Sequence, residues 1–162
     1  MSAITNAYDY FTPIETAWAK VFTDAGIATY TAANDPELQR ERPRVEVELE
    51  PATASGRLKP ASDRLVASGN LREQSYTATM NVRVITEANV ATHRAFLAEV
   101  QYLCDAIVPA LFATDLMPYH RVARVQATGG SVDYTPQDGI YNTQLTYEIE
   151  FSVLASALNA LT

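Results

Sequence analysis

Cys104, His93 and His120 are the only cysteine and histidines among the 162 residues of this chain, so little is available for thiol or soft-metal chemistry. A lone cysteine excludes an intramolecular disulfide and any zinc site built on several thiolates, and it fits a reducing compartment. Basic charge is scarce as well. Twelve Lys and Arg stand against 19 Asp and Glu, for a net charge of −7. A protein that grips nucleic acid by its phosphates needs a basic face, so that mode is not expected. No basic N-terminal stretch leads into an apolar run, and no run of about 18 apolar residues stands out, so neither a signal peptide nor a membrane span is expected and the chain is read as cytoplasmic. What is present is a hydrophobic content of 48%. Over this length that suffices for one domain with a sizeable core, and not for two.

The strongest pattern is at the end. From Ile140 to Leu154, Tyr141, Thr143, Leu145, Tyr147, Ile149, Phe151 and Val153 alternate with Asn142, Gln144, Thr146, Glu148, Glu150 and Ser152. Period-2 alternation of this kind is a half-buried strand, expected at the centre of an antiparallel sheet. At about 3.4 Å per residue it would span roughly 50 Å, so it is expected to bend at a bulge or to overhang its own domain.

Earlier in the chain, Thr12, Pro13 and Glu15 read as a capped helix start, and Ile14, Trp18, Val21, Phe22 and Ala25 form an apolar stripe up to Gly26, so a helix is expected from Pro13 to Ala25. The segment before it, with Ile4, Ala7, Tyr8 and Phe11, fits either an earlier helical turn or an ordered arm. Ile27 to Thr31 suits a short edge strand, and the polar Ala32 to Pro43 a surface connection. Arg44 to Glu50 alternates cleanly, with Val45, Val47 and Leu49 inward and Glu46, Glu48 and Glu50 outward. Pro51 to Leu71 has no period and is expected to be a long loop, locally basic through Arg57, Lys59 and Arg64. Arg72 to Thr86 is a second long strand, with Tyr76, Ala78, Met80, Val82 and Val84 on one face, expected to pair with the strand before the loop.

A second helix is expected from Asn89 to Ile107, burying Phe96, Val100, Leu103, Cys104 and Ile107, with His93, Arg94, Glu99 and Gln101 outward and Pro109 ending or kinking it. Tyr119 to Thr128 is a strand of blurred alternation, Gly129 and Gly130 a turn, Ser131 to Gly139 a loop, and the residues after Leu154 a tail, docked on a neighbour or loose. The fold expected over residues 1 to 162 is a single two-layer α+β domain, an antiparallel sheet of mixed-length strands with two main helices packed on one face.

Reactive groups are few and each has a plain explanation. Cys104 lies on the apolar stripe of a helix with no base at hand, so it reads as a core thiol. His93 and His120 do not read as a metal pair. The carboxylate rows Glu46, Glu48, Glu50 and Glu148, Glu150 repeat at about 7 Å, a glycosidase-like separation, yet a solvated strand face gives the same spacing and is the expected reading. Thr128-Gly129-Gly130-Ser131 lacks the lysine and following helix of a phosphate loop, and Asp133 and Asp138 beside Pro136 and Gly139 suit a turn better than a calcium site. No catalytic, cofactor-binding or metal-ligating residue is expected.

The order of a capped N-terminal helix, an alternating strand, a long polar loop, a second strand, the helix Asn89 to Ile107 and a last long hairpin ending in Gln144-Leu145-Thr146-Tyr147-Glu148-Ile149-Glu150-Phe151 resembles that of the tail terminator and tail completion proteins of tailed bacteriophages. The resemblance covers about residues 12 to 154 and rests on the pattern of elements. It implies a structural virion protein, without catalytic residues or cofactor. Such a protein forms a ring, commonly of six subunits, that caps the tail tube and joins it to the neck or head, assembled in the host cytoplasm. Its implied partners are further copies of itself, the tube protein and the neck or head-completion proteins, with DNA passing unbound and no membrane involved.

On that reading Glu46, Glu48, Glu148 and Glu150 would border the channel, where negative charge keeps DNA from sticking. Arg57, Lys59 and Arg64 would reach a neighbouring subunit or the tube, and an edge left open by the long last strand would pair with the next subunit. A head-closure or minor tail protein fits the same pattern. In a different class, Tyr76, Tyr134, Tyr141 and Tyr147 near a curved sheet would suit a small-ligand-binding α+β domain or a hydrolase.

Overall fold

The computed structural model describes residues 11–31, 43–50, 53–60, 72–112, 120–131 and 139–154, with the backbone path alone at 53–60, 72, 73, 120, 121, 131 and 154. The expected polar connection at 32–42, the segment before Phe11, Arg64, Asp133, Tyr134, Asp138 and the tail after Leu154 lie outside the described residues.

Helix α1 spans Thr12–Asp24. Its N-cap is Phe11, with no side-chain cap, so Thr12 is the first helical residue and not the cap the sequence suggests. Glu15 does not reach back either. It is buried, and its Oε2 accepts the Leu49 N–H at 3.0 Å, tying the helix to a strand end. The C-terminus does follow the sequence. Gly26 takes φ 81°, its N–H bonds Thr23 O and the Ile27 N–H bonds Phe22 O, both at 3.0 Å, which is the paired Schellman arrangement only a residue free of Cβ strain adopts easily. Ala25, expected in the stripe, is exposed because the helix has already ended there.

The sheet runs β1 (Thr29–Tyr30), β2 (Arg44–Leu49), β4 (Arg72–Glu87), β6 (Ile140–Leu154), β5 (His120–Ser131), with β3 (Thr53–Pro60) also paired to β4. All pairings are antiparallel except β1 with β2. The inner face is continuous across the register: Val45, Val84 and Thr143 align, then Val47, Val82 and Leu145, then Met80 and Tyr147, then Ala78 and Ile149. These residues form one core with Ile14, Trp18 and Phe22 of α1 and with Leu97 and Val100 of α2 (Val90–Tyr102), so both main helices cover the same face. Each fully buried side chain such as Ile149 or Phe151 contributes about 1.5–3 kcal/mol of transfer free energy.

Expectations fail at β3 and at β6. The loop predicted over Pro51 to Leu71 contains β3, which pairs with β4 through a register irregularity between Ser55 and Lys59. Its strand state comes from the template offered by the 16 residues of β4, which outrun β2, and no period of its own would have shown it. β6 neither bends at a bulge nor overhangs: β4 pairs with it from Glu73↔Leu154 to Glu87↔Ile140 and β5 covers its other edge. The bulges fall on β5, at Val122/Arg124 and Ala127/Gly129.

The second helical segment passes through a π turn, Leu103–Ile107, into α3 (Val108–Phe112), with the Val108 N–H reaching back to Leu103 O. Pro109 therefore does not end it. The wider turn accommodates a residue that lacks an N–H and crowds the preceding turn. It also rotates the next helical turn, so Val108 and Phe112 are buried and Ile107, expected inside, is exposed. Taken together, Val90–Phe112 is 23 residues that hold an 18-residue window of mean hydropathy 1.5, long and apolar enough by composition alone to cross a membrane, although scattered polar residues break its apolar run. The core helix of a soluble domain passes the same test, and here one side of it packs on the sheet.

Gly129 and Gly130 lie inside β5, not in a turn. A Cβ on Gly130, at φ 135°, would sit 2.3 Å from the Gln144 carbonyl oxygen. Gly130→Ala is expected to cost about 1–3 kcal/mol in urea unfolding, the range of backbone strain and clash. Gly129→Ala, with no atom within 4 Å of the added carbon, is expected to cost less.

Candidate functional site

The outer face of the sheet gathers the carboxylates singled out in the sequence, Glu46, Glu48, Glu50, Glu148 and Glu150. Register places Glu46 beside Arg83 and Gln144, and Glu48 beside Asn81 and Thr146. Thr79 pairs with Glu148 and receives the Glu50 N–H at 2.8 Å, and Thr77 pairs with Glu150. The two carboxylate rows thus share one surface, separated by the polar row of β4. Arg44 Nε donates to Glu46 Oε2 at 2.7 Å in a largely buried pair. Arg124 of β5 donates through one nitrogen to Glu148 at 2.5 Å and Glu150 at 2.7 Å. One guanidinium thereby serves two carboxylates, which lowers their mutual repulsion without cancelling both charges.

Asn81 is the hub of this face. Its amide donates to Glu50 Oε1 at 2.8 Å, and its carbonyl oxygen accepts from Gln144 at 3.1 Å and Thr146 at 3.4 Å. That network explains how a polar residue of the outer face is buried. Glu48 is exposed and has no hydrogen-bond or ion-pair partner among the described residues. Five carboxylates, Glu46, Glu48, Glu50, Glu148 and Glu150, meet three guanidinium groups, Arg44, Arg83 and Arg124, so the face stays acidic. Arg57 and Lys59 stand on β3, which follows β2 along the same edge of β4 toward the start of that strand, while Arg64 is outside the described residues.

Two clusters lie under the helices. His93, expected on the exposed side of its helix, is fully buried: Nδ1 meets Thr86 Oγ1 and Nε2 meets Thr143 Oγ1, each at 2.7 Å, and Tyr141 stacks on the ring at 5.5 Å. Threonine hydroxyls both donate and accept, so a neutral imidazole is satisfied at both nitrogens, and burial lowers its pKa from 6.5. The Asn89 cap, accepting the Thr92 N–H at 2.9 Å, sets the helix phase that points His93 inward. The only hint in the sequence is the pair of threonines on otherwise apolar strand faces.

The second cluster holds Trp18, Cys104, Tyr147 and Asp105. The Tyr147 hydroxyl donates to Asp105 Oδ1 at 3.0 Å, and its ring lies 5.3 Å from Trp18. Burial pushes the Cys104 thiol up to about 12, against smaller opposing effects of Tyr147 and Trp18, and burial also raises the Tyr147 phenol. The Trp18 N–H is buried without a hydrogen-bond partner among the described residues. Tyr76 and Tyr141 likewise pack on ring neighbours, Tyr76 on Phe151 at 5.6 Å. Among the described residues no three His, Cys, Asp or Glu side chains converge as metal ligands.

No known family model matches the chain, and no curated protein matches it.

The buried groups lead to two measurements. Because the folded state disfavours the His93 proton, its contribution to stability is present above the unfolded-state pKa of about 6.5 and is lost as pH falls below it. Unfolding free energy should therefore decline below pH 6.5 in the wild type, with that part of the slope missing in His93→Gln. A protonated thiol of raised pKa, closed off from solvent, should react with an aromatic disulfide reagent only as fast as the protein opens, and at full stoichiometry in denaturant. Fast native labelling at pH 8 would contradict the placement of Cys104.

Proposed function

We propose that this chain is a ring-forming structural subunit of the tail terminator kind found in tailed bacteriophages, capping the tail tube and joining it to the neck or head. The observation that supports this most is the outer face of the sheet, a broad polar surface with a surplus of carboxylates that no described element covers. A surface of that kind suits the wall of a passage for DNA, because it repels phosphate and holds no basic groove in which a strand would lodge. Cys104 and His93 are buried inside packed clusters, which is the geometry of core groups and gives them no access to a substrate. The order of elements fits the same reading with two adjustments, since the long loop contains β3 and the open edge does not lie on β6. β6 is paired on both sides, so an edge for a neighbouring subunit would come from β5 or from the β1 and β3 side.

Light scattering over a range of concentrations, followed by electron microscopy of any large species, tests the proposal. A closed ring with a central hole, or a monomer that closes into a ring on purified tail tubes, is expected. A monomer that fails to bind tubes would overturn it and would favour a small-ligand-binding domain.

A further inference from the structure

Helix α2 is held to the sheet by few side chains. It buries His93, Leu97 and Val100. Leu97 and Val100 attach it by apolar contact, whereas His93 is bonded to both central strands, to Thr86 of β4 and to Thr143 of β6, with Tyr141 of β6 stacked on its ring. One anchor in three is therefore titratable. Thr86, Thr143 and Tyr141 supply no carboxylate to offset a charged ring, and the charged residues nearest along the chain, Glu87 on β4 and Arg94 on α2, are exposed. The stretch that carries these anchors has a boundary at each end. Ala88, at φ 96°, is a strained link between β4 and the Asn89 cap, a place where the backbone relaxes if it moves. Beyond Tyr102 the π turn is fixed separately, by buried Leu103 and Cys104 and by the bond from the Tyr147 hydroxyl to Asp105.

We propose that His93 is a pH-operated latch, whose protonation releases α2 from the sheet between Ala88 and the π turn while β4 and β6 stay paired. A charged imidazole still donates from both nitrogens to the threonine oxygens, so the hydrogen bonds are not what fails. Solvation is what fails, because the ring is fully buried and the threonines bonded to it bring no charge. Once released, the ring is hydrated and titrates near 6.5, so proton uptake favours the open helix by about tenfold for each pH unit below that value, until the closed form is itself protonated. Above pH 6.5 the latch is shut. Opening uncovers the inner face of the sheet around Thr86 and Thr143, yet it stops short of unfolding, because the ladder from Glu73↔Leu154 to Glu87↔Ile140 makes its backbone bonds without α2. The acidic face lies on the other side of the sheet. The latch therefore neither rests on the ring reading nor covers the surface that reading uses.

Hydrogen exchange resolved by residue at pH 7.5 and 5.5, corrected for the intrinsic rate, tests the latch together with an NMR titration of the His93 ring. Protection of the α2 amides is expected to fall about tenfold between the two pH values while the β4 and β6 amides keep theirs. His93→Gln, which can donate and accept toward the same threonines, should lose this pH dependence. Leu97→Ala should lower α2 protection at both pH values and leave the tenfold ratio between them, since it thins the attachment without touching the proton; it decides the matter with the wild type if His93→Gln does not fold. Equal α2 protection at pH 7.5 and 5.5 overturns the latch, and so does a loss shared by β4 and β6, which marks global unfolding. A tenfold fall that persists in folded His93→Gln, or a His93 ring that titrates at its ordinary value in the folded protein, overturns it as well.

Discussion

The pairing of β4 with β6 is the constraint on which the rest of this structure depends. It runs without a register break from Glu73↔Leu154 to Glu87↔Ile140. Because side chains alternate, a slip of one residue would turn Tyr147, Ile149 and Phe151 to solvent and bring Glu148 and Glu150 against Trp18. Placing even one of those carboxylates unpaired in the core would cost several kcal/mol, a large share of the stability of a typical domain. The register is therefore fixed by the difference between the two faces. That same difference creates both the core under the helices and the acidic surface opposite it.

The helices adapt to the sheet. α1 gives up a side-chain cap at its start, yet Glu15, buried one turn in, holds the Leu49 amide where β2 ends before Pro51. A buried carboxylate accepting a backbone N–H replaces a ladder bond the strand can no longer make, and a charge-assisted bond of this sort is stronger than a neutral one. The second helix enters through Ala88 at φ 96°, a strained position for a residue with a Cβ, which the Asn89 cap immediately follows. It leaves through the π turn before Pro109. Both irregularities flank the stretch that presents His93, Leu97 and Val100 to the sheet.

Strands with an intact period were legible in the sequence. β2, β4 and β6 came through with their faces assigned, because alternation survives wherever pairing is regular and one side is buried. β5 blurred for a physical reason: each bulge inserts a residue, so Val122 and Val125 face the same core although they differ in parity. β3 was invisible because backbone pairing alone makes it a strand. The π turn hid in the same way, displacing Ile107 from the stripe. His93 was misplaced because a histidine on a helix is read as polar, while Thr86 and Thr143, distant in sequence, are what make its burial affordable. The carboxylate rows were found, but only the register shows that they share one face.

That shared face is where the arrangement of charge matters more than its amount. Screening in physiological salt acts over about 8 Å, comparable with the roughly 7 Å between alternate carboxylates on one strand. Each glutamate therefore feels its strand neighbours and the row beside it, and little beyond. Arg124 and Arg44 lower the local repulsion and hold Glu148, Glu150 and Glu46 in place. Fixed carboxylates are better recognition elements than mobile ones, because their side-chain entropy is already lost before a partner arrives. The internal pairs consequently prepare the surface while leaving Glu48 and part of the Glu148 and Glu150 charge unanswered. A polyanion is turned away from such a surface at any approach, whereas a compact cationic group gains only when it arrives at the spacing the strands dictate.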